Sequence, residues 1–164
     1  AQYYRDARIL TIYEGTTAIQ ANDLVGRKTL RDGGAVAQAL LEAIRETESE
    51  LESRSEPAAN LVLKPLRQAR LALANVVDFV LANAASAPNA VFGSAVPYLL
   101  LAGTTLAGWQ MTRALLASLD HQQEDPEFHQ AKIATVQCYA LHKLTQAPGL
   151  AAVVLGSKDY EIQP

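Results

Sequence analysis

Val62, Leu66, Ala69, Leu73, Val76 and Val80 stand four, three, four, three and four residues apart. An α-helix brings residues three and four apart onto one face, so this spacing draws an unbroken apolar line along about five helical turns. A line of that length needs other helices to cover it, and its spacing is that of a bundle seam. The rest of the chain supplies candidates. No window shows sustained two-residue alternation, and Gly, Pro and Asn clusters alone interrupt the helical pattern. The expected fold class is all-α, an antiparallel helical bundle.

The punctuation predicts the elements. A short helix over about 2–11 is broken at Gly15. Thr16 or Thr17 then caps a second helix through "AIQANDLVGRKTL". "RDGG" at 31–34 ends it and divides a first segment, 1–34, from an appended bundle, 35–164. The third helix, 35–54, carries Val36, Leu40, Ile44 and Leu51 on one face and Glu42, Arg45, Glu46, Glu48 and Glu50 on a solvated one. The fourth, 58–86, starts behind Pro57, and Pro65 should bend or delay it. The fifth, about 90–119, has a kink predicted at Pro97. Asp125, Pro126 and Glu127 open a sixth helix to about 145. A short closing helix and a tail follow.

Composition narrows the functional classes. With 164 residues, 49% of them apolar and 19% charged, the chain is globular and large enough for one core. A net charge of −3 leaves no basic excess for a phosphate backbone, which argues against nucleic acid as a partner. The single cysteine, Cys138, cannot form an internal disulfide, which fits a reducing, cytoplasmic setting. No signal peptide is visible. The chain reads as helix from Ala1 without an initiator Met, so it is expected to begin inside a larger protein.

The uncharged run 79–112 raises a membrane question, but Asn, Gly, Ser, Pro, Thr and Gln interrupt it. A buried helix of a bundle is expected there and not a membrane span. Cys138 and His142 lie one helical turn apart, but two further zinc ligands are not evident, and His121 and His129 are not at ligand spacing. No metal site is expected. As a nucleophile and base, the pair lacks an orienting third group. Arg27, Lys28 and Arg31 read as a solvated helix end, and the glutamates of 42–52 as a solvated face. Trp109, Tyr98 and Phe92 read as core.

By residue type alone, Glu14 in "YEGTT" is either a catalytic base or a helix-end carboxylate. Its neighbours add information. "YRDARILTIYEGTTAIQ" resembles the last catalytic-domain helices of acyl-CoA dehydrogenases. Arg5, Asp6, Arg8, Ile9, Ile12, Tyr13, Glu14, Gly15, Thr16, Thr17, Ile19 and Gln20 fall on that family's pattern. "DLVGRKTLRDGG" is similar to the continuation in larger bacterial members with an extra C-terminal helical domain.

The resemblance implies roles. Glu14 matches the base that takes the α-proton of an acyl-CoA thioester, and its N–H matches a donor to the thioester carbonyl. Gly15 matches a substrate-side position where only a small residue leaves room. Thr16, Thr17 and Gln20 match the stretch along FAD. An acid at position 14 resembles the short- and medium-chain arrangement; other members take the base from another helix. The resemblance also implies acyl-CoA as substrate and an electron-transfer flavoprotein as partner for the parent. The family's N-terminal helical domain and β-domain have no counterpart in these residues, so this polypeptide alone is expected to be inactive and free of FAD. A homo-oligomer is expected. The alternative is a non-catalytic helical module for oligomerisation or membrane association.

Overall fold

A computed structural model describes residues 2–11 and 16–159. Among the described residues the chain is helical throughout, with no strand. Helix α1 (Gln2–Ala7) runs into a 3-10 turn, Arg8–Thr11. Helix α2 (Thr17–Asp23) continues as a π-helical stretch, Leu24–Leu30. Then come α3 (Ala35–Glu52), α4 (Pro57–Asn83), α5 (Pro88–Gly93), α6 (Ala95–Asp120), α7 (Pro126–His142) and α8 (Ala147–Leu155), with 3-10 turns at Leu144–Gln146 and Gly156–Asp159. The short connections between packed long helices make the bundle antiparallel.

Helix α4 is the hub. It packs on α3, α6, α7 and α8, and all six seam residues are buried, Val62, Leu66, Ala69 and Val76 completely. Pro57 opens it at a position where its missing N–H costs nothing. Pro65 lies inside the helix and is buried. The predicted fifth helix is two. A proline clashes with the carbonyl four residues back and cannot bond to it, so Pro97 is tolerated only in a first turn. The chain breaks at Ser94, which puts Pro97 in the first turn of α6. The Ser94 hydroxyl lies 2.8 Å from the Ala90 carbonyl, where it donates to the end of α5. Asp125 caps α7 as expected, accepting from the Phe128 N–H at 3.2 Å.

Helix α6 lies across α4, with Leu101, Thr105 and Leu115 fully buried, and no described helix is long and apolar enough to cross a membrane. Gly108 sets one of its close approaches. A Cβ there would lie 2.3 Å from Leu144 Cδ2, and Leu144 is itself buried. Tyr139 Oη donates to the Thr104 carbonyl at 3.1 Å, tying α7 to α6. Arg54 reaches Asp120 at 2.8 Å, tying the end of α3 to the end of α6.

Some expectations need correction. Glu48 does not lie on a solvated face: it is 2% exposed. Arg70 holds its carboxylate as a fork, Nε to Oε1 at 2.7 Å and Nη2 to Oε2 at 3.0 Å. Arg67 reaches the same carboxylate at 3.4 Å and also pairs with Glu52. One face of α3 is therefore split between water and the cations of α4. Val36 is 60% exposed and Leu40 only half-buried, while Leu41 takes the inward place. The start of α3 lies against α4 through the buried Gly34, which faces Val77 and Leu81, while Val36 and Leu40 border a small cavity there. Phe92, expected in the core, is 40% exposed on the short α5. Thr16 sits at the N-cap of α2 without a side-chain capping bond.

Two stability outcomes follow. Glu48→Ala leaves two arginines facing each other across a nearly dry contact, and should cost about 2–3 kcal/mol in chemical denaturation, somewhat below the loss for a fully buried pair. Glu42→Ala breaks only the exposed pair with Arg45 and should stay within about 0.5 kcal/mol of the parent. The glycines of α6 should differ in sign. Gly103→Ala meets open space and should stabilise by about 0.5–1 kcal/mol. Gly108→Ala must displace the packed Leu144 and should destabilise by about 1–2 kcal/mol.

Candidate functional site

The residues singled out from the sequence lie on or just before α2. Glu14 and Gly15 lie outside the described residues. Thr16, Thr17 and Gln20 are described, and all three are exposed at the first turn of α2. They share that outer surface with Ile19, which is 63% exposed.

The residues that follow explain how this turn is held. Ala21, Val25 and Thr29, each four residues on, are buried and belong to the bundle core or touch it. Thr29 donates its hydroxyl proton to the Leu24 carbonyl at 2.9 Å. Its oxygen lies 2.8 Å from Tyr98 Oη on α6, and since that proton is committed, Tyr98 is the donor in this bond. Burial pushes the Tyr98 hydroxyl above the usual tyrosine range. Asp23 and Arg27 form an ion pair at 3.0 Å. Gly33 and Gly34 then turn the chain with φ of +65° and +82°, values that L side chains resist. Asp32 accepts from the N–H groups of Gly34 and Val36, both at 3.0 Å, and so caps α3. The candidate residues thus form the exposed first turn of a helix whose continuation is fastened to the bundle.

A cavity of about 100 Å³ lies behind the fastening, between Leu24, Val36, Leu40, Val77, Tyr98 and Leu106. That is below the several hundred Å³ usual for a bound cofactor or thioester. A concavity of about 570 Å³ opens where α5 meets α8, beside Pro88, Gly93, Pro97 and Val153, and among its described lining residues are none of Thr16, Thr17 and Gln20. Cys138 and His142 do share a groove on α7, but among the described residues no group of three or more His, Cys, Asp and Glu is placed to hold a metal. What the described geometry provides is an edge: hydroxyl and amide groups on a rigid helix, facing away from the bundle. The fastening itself was not read from the sequence. Its one legible signal was the four-residue repeat Ala21, Val25, Thr29, which the polar end at Thr29 obscured.

Residues 34–160 match the family described as acetyl-CoA dehydrogenase C-terminal like. The chain is 49% identical over 148 residues to 3-methylmercaptopropionyl-CoA dehydrogenase of Ruegeria pomeroyi, covering 89% of this chain and 25% of that protein. It is 31% identical over 149 residues to the broad-specificity linear acyl-CoA dehydrogenase FadE5 of Mycobacterium tuberculosis, covering 85% and 24% respectively. The chain therefore spans about a quarter of the length of the curated relatives it matches. With the family match covering most of an all-α bundle, the chain belongs to the acyl-CoA dehydrogenase family and carries its C-terminal helical domain.

Proposed function

We propose that this chain is the C-terminal part of an FAD-dependent enzyme that introduces an α,β double bond into an acyl-CoA thioester. The observation that carries the reading is the run from Arg5 to Gln20, which has the family's catalytic-helix pattern and directly precedes the matched domain. The names of both relatives point to an acyl-CoA substrate for the parent. Residues 1–34 form the end of the catalytic domain in this reading, and 35–164 the appended bundle.

The described residues fit a flavin edge. Thr16 makes no capping bond to its own helix, and the Gln20 amide has no partner among the described residues, so both retain hydrogen-bonding capacity on an exposed surface. When bound, FAD supplies the two-electron acceptor. The protein's own part is proton transfer and orientation. Glu14 takes the α-proton, and its backbone N–H polarises the thioester carbonyl so that the enolate-like charge is held as it forms. Gly15 leaves room for the thioester. Thr16, Thr17 and Gln20 lie against the cofactor. The buried anchor at Thr29 and Tyr98 keeps their helix from shifting, because a small displacement of a base costs orders of magnitude in rate. Electrons leave the parent through an electron-transfer flavoprotein, in the cytoplasm.

Two measurements test this. The purified 164-residue chain should show no flavin absorbance and no turnover of acyl-CoA, because it carries one edge of a site built from several domains. A yellow preparation with a flavin band would overturn that part. In the full-length parent, Glu14→Gln should lower turnover about 10²–10⁴-fold while flavin content and spectrum stay unchanged. A near-normal rate would assign the base to another residue.

A further inference from the structure

The concavity where α5 meets α8 is walled by chain that carries almost no charge. No Asp, Glu, Lys or Arg stands between Asp78 and Arg113, or between Lys143 and Lys158. The two stretches meet here, with Pro88, Gly93 and Pro97 on one side and Val153, 57% exposed, on the other. Lys158 is the one charged residue among the described lining. It is exposed and has no ion-pair partner among the described residues. Hydroxyls tie the walls together. The Ala90 carbonyl accepts from Ser94 at 2.8 Å, and the Ser157 hydroxyl lies 3.1 Å from that same carbonyl and 2.6 Å from the carbonyl of Val154. The turn after α8 is thereby held against α5. Both hydroxyls are spent inside the wall, which leaves Ser86, Asn89 and Lys158 as the lining's polar side chains without a partner among the described residues.

We propose that this concavity binds a free aliphatic carboxylate, its chain against Pro97 and Val153 and its head group at Lys158. Size, wall and charge each narrow the occupant. A volume of about 570 Å³ falls within the range of small-molecule sites, unlike the cavity behind Tyr98. An aliphatic chain laid on this lining removes apolar surface from water on both sides. A sugar or nucleotide would leave most of its polar groups facing proline, glycine, alanine and valine without partners. A cation with no partner, and no acid among the described lining, select an anion over a cation. A bilayer surface is a poorer fit, because membrane-bound faces project apolar side chains and ring them with several cations, whereas this wall is recessed and offers one.

Sodium octanoate is the probe. Titrated into the isotope-labelled 164-residue chain, it should shift the amide resonances of Asn89, Gly93, Val153 and Ser157 together, with a Kd of about 0.1–1 mM for a ligand of about ten non-hydrogen atoms. Octan-1-ol should move the same resonances. Lys158→Gln should weaken octanoate about 2–5-fold and leave octan-1-ol unchanged. Gly93 has open space where a Cβ would stand and no positive φ, so Gly93→Leu should keep the helicity of the parent, fill the concavity and weaken both probes about tenfold or more. Val153→Asp, at an exposed position, sets a carboxylate beside the bound chain and should weaken octanoate independently of that variant. No shift up to about 10 mM octanoate would overturn the proposal. So would shifts centred on Thr135, Cys138 and Tyr139, unchanged affinity in Gly93→Leu and Val153→Asp, or an equal loss of octan-1-ol in Lys158→Gln. Co-sedimentation with phosphatidylglycerol vesicles without any response to octanoate would point to a lipid surface instead. Binding by a chain ending at Asp159, but not by the 164-residue chain, would give the concavity to residues 160–164. None of these readouts involves flavin or turnover, so this site stands or falls apart from the reading of the parent enzyme.

Discussion

The burial of α4 on several sides governs the rest of the bundle. A 27-residue helix with Val62, Leu66, Ala69, Leu73, Val76 and Val80 enclosed has few directions left in which to send its charges. Arg67 and Arg70 emerge toward α3, and Glu48 and Glu52 meet them there. The pair of helices is thereby held in one register: sliding either by a turn would leave Glu48 without its guanidinium fork. A buried ion pair of this kind adds little net stability compared with apolar packing, but the penalty for separating its partners makes other alignments costly. The same helix offers α6, α7 and α8 a surface of Val and Ala, and Gly108 of α6 lets Leu144 approach closely beside it.

Much of this architecture was legible in the sequence because it rests on local rules. The seam spacing, Pro57 and Pro126 at first turns, the Asp125 cap and the glycine turn before α3 each follow from a few neighbouring residues. What escaped were effects that depend on a partner far along the chain. Glu48 looks like the glutamates around it until Arg67 and Arg70, about twenty residues away, are brought opposite. Trp109 bonds through Nε1 to Thr47 at 2.8 Å, and Leu144 fills the space left by Gly108; no window of sequence contains both members of either pair. Pro97 was read correctly as an interruption, but its effect falls three residues earlier, at Ser94, because the lost hydrogen bond belongs to the preceding turn.

The candidate site divides in the same way. Its chemistry was read from contiguous residues, Glu14 to Gln20, and from likeness to a family. Its mechanical support was not, because Thr29 and Tyr98 are 69 positions apart. The two descriptions meet on α2. Its first turn carries Thr16, Thr17 and Gln20, which are proposed to lie along the cofactor. Its continuation through Ala21, Val25 and Thr29 is seated in the bundle, so in the proposed reading the bundle supports that edge.

The π-helical stretch Leu24–Leu30 sets the angle at which that edge is presented. Each turn of a π-helix holds about one residue more than an α-turn, and such stretches recur at functional positions. The hydroxyl of Thr29, bonded to the carbonyl five residues before it, marks the wider turn. Each residue of an α-helix advances the chain by about 100° around its axis. Deleting one residue between 24 and 30 would let the stretch relax to α-helix, and everything before it, the buried Ala21 included, would swing by that angle. Thr16 and Gln20 would then point along the bundle surface instead of away from it. Chain length over these seven residues therefore works as an angular setting, and the buried Ala21 ahead of it holds that setting fixed.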